Sequence, residues 1–278
     1  MDTLKTKADK FFQLHHQKKP FIIPNPWDVG TARMLAVKGF SALATTSTGY
    51  VFATGHQDGT FGRDEVLAHC RELVEAVSIP ISADLEDGYG RDLEGVRETY
   101  QAAGQIGLVG GSIEDAKIAT ASPIYDFEEA VDRVVAAVDA VKDLPFKFTL
   151  TARAENYLHG RPDIHDTIKR LQAYQEAGAD VLFAPGLTTL DDIRAVTSSV
   201  DLPVNVVVGL KDTQFSVTEL GEAGVKRISV GSALFRKAFG TAVAGADEML
   251  ASGTFDFASD AMGFGDINAL FAKDGDQA

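Results

Sequence analysis

Residues 81–90 read Ile81-Ser82-Ala83-Asp84-Leu85-Glu86-Asp87-Gly88-Tyr89-Gly90, an apolar run after Pro80 that closes in two glycines. This pattern predicts a buried strand over residues 81–85 that runs into a tight turn. Because residues two apart in a strand point to the same face, Asp84 and Glu86 should direct two carboxylates to one place. Such a pair favours a shared proton or cation, and Mg²⁺ prefers oxygen ligands of this kind. Taken alone, however, the motif is more often a solvated acidic turn.

Short apolar runs alternate with helical patterns along the rest of the chain. The predicted strands cover residues 21–23, 41–45, 81–85, 108–113, 146–152, 181–184, 204–208 and 227–230. Predicted helices cover residues 1–17, 31–37, 65–77, 93–103, 127–141, 164–177, 217–223 and 232–250, with one more starting at 189. Eight β/α units in this length match a (β/α)₈ TIM-type barrel better than a doubly wound sheet. Since no linker is evident, we expect one barrel domain over residues 1–278, with an N-terminal helix and a C-terminal helical tail.

Composition excludes several classes of protein. The chain has 278 residues, 45% of them hydrophobic, and no apolar run long enough to span a membrane. The polar, Lys-rich N-terminus does not resemble a secretory signal. The single cysteine, Cys70, excludes an internal disulfide and fits a reducing cytoplasm. The net charge of −14 argues against non-specific binding to nucleic acid.

Polar residues follow several predicted strands at their carboxyl ends, where barrel enzymes place their function. They are Thr45 to Gly49 after strand two, Asp84 and Glu86 after strand three, Glu114 and Asp115 after strand four, Arg153 and Glu155 after strand five, and Asn205 inside strand seven. Each alone is explained by a turn, a cap or a satisfied core polar group. All of them at one rim are harder to explain without a shared site.

Three motifs together resemble the isocitrate lyase/phosphoenolpyruvate mutase superfamily. They are Asp84-Leu-Glu-Asp-Gly-Tyr-Gly, Ile113-Glu114-Asp115, and Thr151-Ala-Arg153-Ala-Glu155 with the Lys169 to Asp180 segment. The resemblance runs from about Phe21 to Phe239. It implies a (β/α)₈ barrel that binds Mg²⁺, or alternatively Mn²⁺, and acts on C–C or P–C bonds next to a 2-oxo or 2-hydroxy acid. It also implies a homo-oligomer, a dimer or a tetramer, in which the last barrel helix can exchange between subunits.

Carried over position by position, the resemblance implies a metal site and a substrate site. Asp84, Glu86 and Glu114 match the metal carboxylates, although the family more often has Asp where Glu86 stands. Substrate binding is implied for Thr46, Ser47 and Thr48 through their backbone, for Arg153 and Asn205, and for Trp27. Asp58 matches an acidic residue near the metal, and Tyr50, Asp58, His56 or a metal-bound water are alternatives for the proton donor.

Two departures from the family pattern limit the activity that can be carried over. The lyases acting on isocitrate or methylisocitrate have a loop with a catalytic cysteine and a histidine, whereas residues 116–124 contain neither. Cys70 cannot substitute, because it lies on an apolar helix stripe. A lyase glutamate after the sixth strand is also missing, since Phe183-Ala184-Pro185-Gly186 stands there.

The favoured function is therefore a Mg²⁺-dependent lyase that breaks a C–C bond of a small 2-oxo or 2-hydroxy carboxylate through a metal-held enolate, as an oxaloacetate decarboxylase does. Three alternatives stay open. They are P–C bond cleavage or rearrangement, as in phosphonopyruvate hydrolase or phosphoenolpyruvate mutase, a phosphate-binding barrel enzyme that uses Val230-Gly231-Ser232, and a non-catalytic 2-oxo-acid-binding barrel. The aromatic tail after Gly253 should be buried, and a neighbouring subunit is the expected cover.

Overall fold

Eight parallel strands form a single sheet in the computed structural model, which describes residues 3–117, 123–210 and 214–272. The order of the strands in the sheet is β1-β8-β7-β6-β5-β4-β3-β2. The strands are β1 Phe21–Ile23, β2 Leu43–Ala44, β3 Ile81–Asp84, β4 Gly110–Glu114, β5 Thr149–Arg153, β6 Val181–Phe183, β7 Val204–Val207 and β8 Arg227–Ser229. This arrangement confirms the predicted (β/α)₈ barrel.

Helices follow the strands and cover the outside of the sheet. They are α1 Leu4–Leu14, α2 Val29–Val37, α3 Ser47–Ala53, α4 Arg63–Ala76, α5 Leu93–Gln105, α6 Phe127–Val141, α7 Ile164–Glu176, α8 Leu190–Thr197, α9 Val217–Glu222, α10 Ala233–Ser252 and α11 Phe264–Phe271. Apolar side chains at helical spacing face inward, as shown by the fully buried Tyr100 and Tyr174. No helix among the described residues is long and apolar enough to cross a membrane.

The barrel closes between β1 and β2 by isolated contacts rather than by a regular ladder. The Ala44 amide donates to the Pro24 carbonyl at 3.1 Å. Asn25 lies at the same seam: its side-chain amide donates to the Thr45 carbonyl at 3.0 Å, and its Oδ1 accepts from the Val230 and Gly231 amides at 2.9 Å each. Because proline cannot donate to a ladder, Pro24 limits regular pairing at this seam.

Helix α1 closes the amino end of the barrel. Phe11 is fully buried, and a Cβ on Gly110 would lie 2.7 Å from its ring, so only glycine allows this close approach. His15, just after α1, is buried against Phe21 with a ring separation of 5.0 Å. The floor of the barrel is therefore sealed by aromatic side chains.

The structure corrects several predicted boundaries. Strand β3 ends at Asp84, before Glu86, so strand alternation does not explain where Glu86 points. Residues 46–48, predicted as a substrate-binding loop, instead cap and begin helix α3 at residues 47–53, because the Thr46 hydroxyl accepts from the Gly49 amide at 3.2 Å. The aromatic tail is not buried within one chain, since Phe264 is 91% exposed.

Candidate active site

Arg153, the last residue of β5, lies between three carboxylates at the carboxyl end of the barrel. Its Nη1 donates to Asp84 Oδ1 at 2.8 Å and lies 2.9 Å from Glu114 Oε2, while Nε donates to Glu155 Oε1 at 2.8 Å. Strand register explains the meeting, because Glu114 on β4 lies directly opposite Arg153. The structure therefore brings together the four side chains of this arginine cluster, Asp84, Glu114, Arg153 and Glu155.

Asp84 is also held by hydroxyl groups from neighbouring elements. Its Oδ2 accepts from the Ser47 hydroxyl at 3.0 Å and from the Ser47 amide at 3.4 Å. Its Oδ1 accepts from the Ser112 hydroxyl at 3.2 Å, and its own amide donates to Thr45 Oγ1 at 2.9 Å. Since α3 begins at Ser47, this short helix positions Asp84, and the Ser47 amide is already engaged.

Glu86 reaches the same region through an unusual backbone conformation. Its φ of 46° lies in the left-handed region, which is uncommon for a residue other than glycine and stores about 1–3 kcal/mol of strain. The Glu86 residue is 9% exposed. Asp58 faces the same space from the loop after α3, where its Oδ2 accepts from the Thr48 hydroxyl at 3.1 Å.

Two adjoining cavities open at this end of the barrel. The outer cavity has a volume of about 490 Å³, and the inner cavity, deeper in the barrel, has a volume of about 150 Å³. Thr48, Asp84, Arg153 and Leu158 line both. The charged residues of the outer lining are Asp58, Asp84, Glu86, Glu114, Glu155, Lys117 and Arg153. Acidic groups therefore outnumber basic ones around the outer cavity.

Burial and mutual repulsion change the protonation of these groups. Burial, with a further contribution from Asp84, raises the pKa of Glu86 to about 7. Burial also raises the pKa of Glu155 to about 7, against the opposing effect of Arg153. The pKa of Glu114 lies well above its ordinary value, mainly through burial. Burial acts against the charged form of Arg153, but Glu114, Glu155 and Asp84 outweigh it and raise its pKa.

The donor chemistry of the outer cavity fits a divalent cation, although the donors are not gathered into a ligand set. Within the described ranges, no group of three or more His, Cys, Asp or Glu side chains is arranged to hold a metal ion. The guanidinium of Arg153 accounts for this, because it lies between Asp84 and Glu114. The surplus of carboxylates with raised pKa values nevertheless favours a hard cation over bulk water. Asp84, Glu86 and Glu114 therefore stay predicted as its ligands.

Asp115 supports the site from behind rather than facing it. This buried carboxylate accepts from the Tyr174 hydroxyl at 2.7 Å, from Arg170 Nη1 at 3.0 Å and from the Glu155 amide at 2.8 Å. Arg170 and Tyr174 belong to α7, whereas Glu155 follows β5. Asp115 thereby fixes the backbone at Glu155, which in turn holds Arg153.

Four predicted substrate or catalytic residues, Trp27, Tyr50, His56 and Asn205, lie outside the lining of both cavities. Trp27 packs edge-on against Phe235 at 5.4 Å, and Tyr50 stacks on His69 at 3.7 Å. Asn205 is buried, donating to the Ser229 hydroxyl at 3.0 Å, with its Oδ1 unpartnered. Their roles at the site stay predictions.

Two further predictions concern the turn at residues 230–232 and the loop at residues 116–124. The amides of Val230 and Gly231 donate to Asn25, so the proposed phosphate loop already uses them to close the barrel. Residues 118–122 of the loop 116–124 lie outside the described residues.

Several lining residues were missed by sequence reasoning. They are Ser112, Lys117, His159, Arg227 and Ser229. Ser112 and Ser229 alternate with apolar neighbours in their strands, which could have identified them as inward-facing. Arg227 opens an apolar strand and resembles an exposed edge residue in the sequence, so its burial at 5% exposure was not predicted.

Comparison with known proteins decides the family. Residues 11–250 match the family model described as phosphoenolpyruvate phosphomutase. The chain belongs to the phosphoenolpyruvate phosphomutase family. This membership confirms the resemblance to the isocitrate lyase/phosphoenolpyruvate mutase superfamily, whose members are lyases and mutases.

Individual members of the family match over most of their length. A crystal structure of a candidate lyase/mutase from Burkholderia cenocepacia J2315 is 53% identical, with a TM-score of 0.94 over 98% of this chain and 97% of that one. An uncharacterized protein of Mycobacterium tuberculosis is 34% identical over 80% of this chain and 81% of its own length. The 2-methylisocitrate lyase of Halalkalibacterium halodurans is 27% identical over 79% of this chain and 72% of its own length.

Other matches are more partial or more distant. The oxaloacetate decarboxylase of Bradyrhizobium diazoefficiens is 30% identical over 50% of this chain and 49% of its own length. A structure of phosphonopyruvate hydrolase in complex with oxalate and Mg²⁺ is 20% identical, with a TM-score of 0.83 over 95% of this chain and 94% of that one. Because the identity is only 20%, this last likeness shows that the two proteins share a fold.

Proposed function

We propose that this protein is a Mg²⁺-dependent lyase that breaks a C–C bond of a small 2-oxo or 2-hydroxy carboxylate, which for a 2-oxo acid is the bond one carbon away from the carbonyl. An acid of the oxaloacetate type is the favoured substrate. The single observation that carries the proposal is the arginine cluster at the carboxyl end of the barrel, which lines the outer cavity and reaches the inner cavity through Asp84 and Arg153. Membership of a lyase/mutase family supports it.

Arg153 is suited to orienting the substrate. Its described hydrogen bonds use Nη1 and Nε, which leaves Nη2 to donate to a substrate carboxylate. Its guanidinium carbon also lies 5.1 Å from the Phe183 ring, so the plane of the fork is restrained on one side. A fixed fork of donors holds a carboxylate in one orientation, which favours one bond for cleavage.

Loss of carbon dioxide from an oxaloacetate-like acid needs no acid catalyst before the bond breaks. The electron pair of the broken C–C bond stays on the remaining carbon and is delocalised into the carbonyl. This chemistry is compatible with residues 116–124 having no cysteine or histidine. A divalent cation held by Asp84, Glu86 and Glu114, Mg²⁺ or Mn²⁺, would supply Lewis-acid stabilisation of the developing charge.

The proton that completes the reaction can come from Asp58. This carboxyl lines the outer cavity, and burial raises its pKa, so it retains a proton more readily than an exposed aspartate. The Tyr50 hydroxyl is a weaker candidate, because the ring is stacked on His69 and lies outside the cavity lining. We assign the role of proton donor to Asp58, with Tyr50 and His56 as alternatives.

Turnover of a small substrate panel tests the proposal. Purified protein is incubated with oxaloacetate, phosphonopyruvate or 2-methylisocitrate in Mg²⁺, in Mn²⁺ or in excess EDTA. Because Mg²⁺ alone decarboxylates oxaloacetate slowly, the matched blank contains metal without protein. We expect pyruvate and carbon dioxide from oxaloacetate well above this blank, and loss of the signal in EDTA and in Arg153→Met.

The same experiment distinguishes the lyase from an enzyme of P–C bonds and from a non-catalytic binding protein. Phosphate release from phosphonopyruvate alone would replace the C–C lyase by an enzyme of P–C bonds, which the family description equally allows. An acid that binds with Mg²⁺ and is recovered unchanged would indicate a non-catalytic binding protein. Binding of none of these acids would overturn the proposal.

A further inference from the structure

Arg227, the first residue of β8, is a cation inside the barrel that has no anionic partner among the described residues. The residue is 5% exposed. Within the described chain its hydrogen bond is from Nη1 to the Thr151 hydroxyl at 2.9 Å, and its Nε has no partner. A buried guanidinium that is neither paired with a carboxylate nor fully hydrogen-bonded is strongly unfavourable.

The other buried arginines of the barrel are paired with carboxylates. These pairs are Arg133 with Asp87, Arg170 with Asp115, and Arg153 with Asp84, Glu114 and Glu155. Arg227 instead lies close enough to the positive Arg153 for its pKa to fall to about 10, through burial first and this repulsion second. The fold therefore supplies a carboxylate to every buried arginine described except this one.

Arg227 contributes to the lining of the inner cavity. The charged side chains of that lining are Asp84, Arg153 and Arg227, so basic groups outnumber acidic ones, in contrast to the outer cavity. Uncharged polar side chains, among them Thr45, Ser112 and Ser229, also line the inner cavity. A cavity of about 150 Å³ holds roughly six non-hydrogen atoms, the size of benzene. The inner cavity thus has the charge and the volume to receive a carboxylate and the carbon that bears it.

We propose that Arg227 is the cationic floor of the inner cavity and binds a second carboxylate of the substrate. The substrate is then a small dicarboxylic acid, with one carboxylate deep in the barrel and the 2-oxo or 2-hydroxy end in the outer cavity. This inference rests on the proposed function and adds the class of acid to it. Arg227 determines specificity by charge, and in an acid of the oxaloacetate type the carboxylate that it holds is the one released as carbon dioxide.

The alternative for Arg227 is a structural role at the bottom of the barrel. The Nε2 atom of the buried His15 is also unpartnered, so ordered water between the two side chains could satisfy both. His15 itself supplies no charge, because burial, with the repulsion of Arg227, lowers its pKa to about 3. A structural arginine would affect folding without distinguishing one acid from another.

The test compares two acids that differ only in the distal group. Malate carries a carboxylate where 2-hydroxybutyrate carries a methyl group, and both keep the 2-hydroxy acid end. Binding to wild-type protein, Arg227→Met and Arg227→Lys is measured by calorimetry in saturating Mg²⁺, and the acids are recovered afterwards to exclude turnover. Thr149→Val, a change of similar size at a buried position of β5 that lines neither cavity, is the matched control.

We expect wild-type protein and Thr149→Val to bind malate at least 10-fold more tightly than 2-hydroxybutyrate. Arg227→Met should lose about 10- to 100-fold in malate affinity and change 2-hydroxybutyrate affinity less than 3-fold, since charged hydrogen bonds are lost for one acid only. Arg227→Lys should retain part of the preference.

The outcomes separate this inference from the proposed function. If wild-type protein binds both acids equally, or if folded Arg227→Met keeps the preference for malate, the floor assignment is wrong and the lyase proposal stands. If neither acid nor oxalate binds in Mg²⁺, the proposed function fails. Should Arg227→Met not fold, the wild-type preference and a crystal structure with malate decide, because the assignment requires a malate carboxylate within hydrogen-bond distance of Arg227.

Discussion

At the scale of single residues, Arg153 is shared by three carboxylates, and burial raises the pKa of two of them, Glu114 and Glu155. Its removal by Arg153→Met leaves Asp84, Glu114 and Glu155 without their cation. We expect a loss of about 3–5 kcal/mol in the free energy of unfolding, which urea denaturation measures in EDTA. Arg153→Lys, which keeps the charge but not the fork, should lose less. Equal stability of Arg153→Met and wild-type protein would show that the carboxylates are satisfied in another way.

Glu86 makes stability depend on pH. Its pKa is raised from 4.5 to about 7, so between these values the folded protein holds a proton that the unfolded chain has released. Stability from this group is therefore present at low pH and is lost as pH rises through 7. Glu86→Gln should gain stability over wild type between pH 5 and pH 8, by about 3 kcal/mol at most, measured by urea denaturation in EDTA.

The control for the Glu86 prediction is Glu75→Gln, because Glu75 is exposed on α4 and lines neither the inner nor the outer cavity. This variant should follow the pH profile of wild-type protein. A stability difference between Glu86→Gln and wild type that does not change with pH would contradict a raised pKa at Glu86.

Residue chemistry was largely predictable from the sequence, whereas the atoms that each side chain contacts were not. Asp84, Glu114 and Arg153 could be placed together because they end neighbouring parallel strands. Glu86 was assigned to the same place for a wrong reason, since its left-handed backbone cannot be read from a strand pattern. Arg227 was missed, because a charged residue at the start of a strand usually faces solvent.

At the scale of elements, Asn25 joins three strands at the seam where the barrel closes. Its side chain satisfies one carbonyl and two amides from the ends of β2 and β8. Asn25→Ala leaves all three groups without that partner, and we expect it to lower the free energy of unfolding by about 2–4 kcal/mol. Asn268→Ala, at an exposed position on α11, is the control and should change stability by less than about 0.5 kcal/mol. Similar losses for both variants would show that the seam does not depend on Asn25.

The strands and most helices followed from apolar periodicity, but their ends did not. The strand predicted over 108–113 begins at Gly110, and the one predicted over 146–152 begins at Thr149. Helix α3 was missed because Ser, Thr and Gly at its start are weak helix formers, and the cap at Thr46 compensates only in the folded chain. Boundaries of this kind are set by contacts from distant parts of the sequence.

At the scale of the whole molecule, α10 and the tail expose a continuous apolar set of side chains. It comprises Phe239, Val243, Leu250, Phe255, Phe257, Met262, Phe264 and Phe271. A surface this apolar is typical of a subunit interface, and we expect the protein to be a homodimer or homotetramer in solution. Light scattering after size-exclusion chromatography measures this directly.

Substitution within the apolar surface should dissociate that oligomer. We expect the double variant Phe255→Ser/Phe264→Ser to elute as a smaller species, while Val217→Ser, at a 42% exposed position on α9, elutes like wild-type protein. A monomeric wild-type protein would show that these side chains have some other function.

The seal that α1 forms beneath the barrel has a kinetic consequence. With Phe11 and His15 filling the amino end, the inner cavity exchanges with solvent at the carboxyl end of the barrel. Whatever occupies the deep position must arrive first and depart last. On the proposed function, the product bound at Arg227 would leave after the product nearer the mouth.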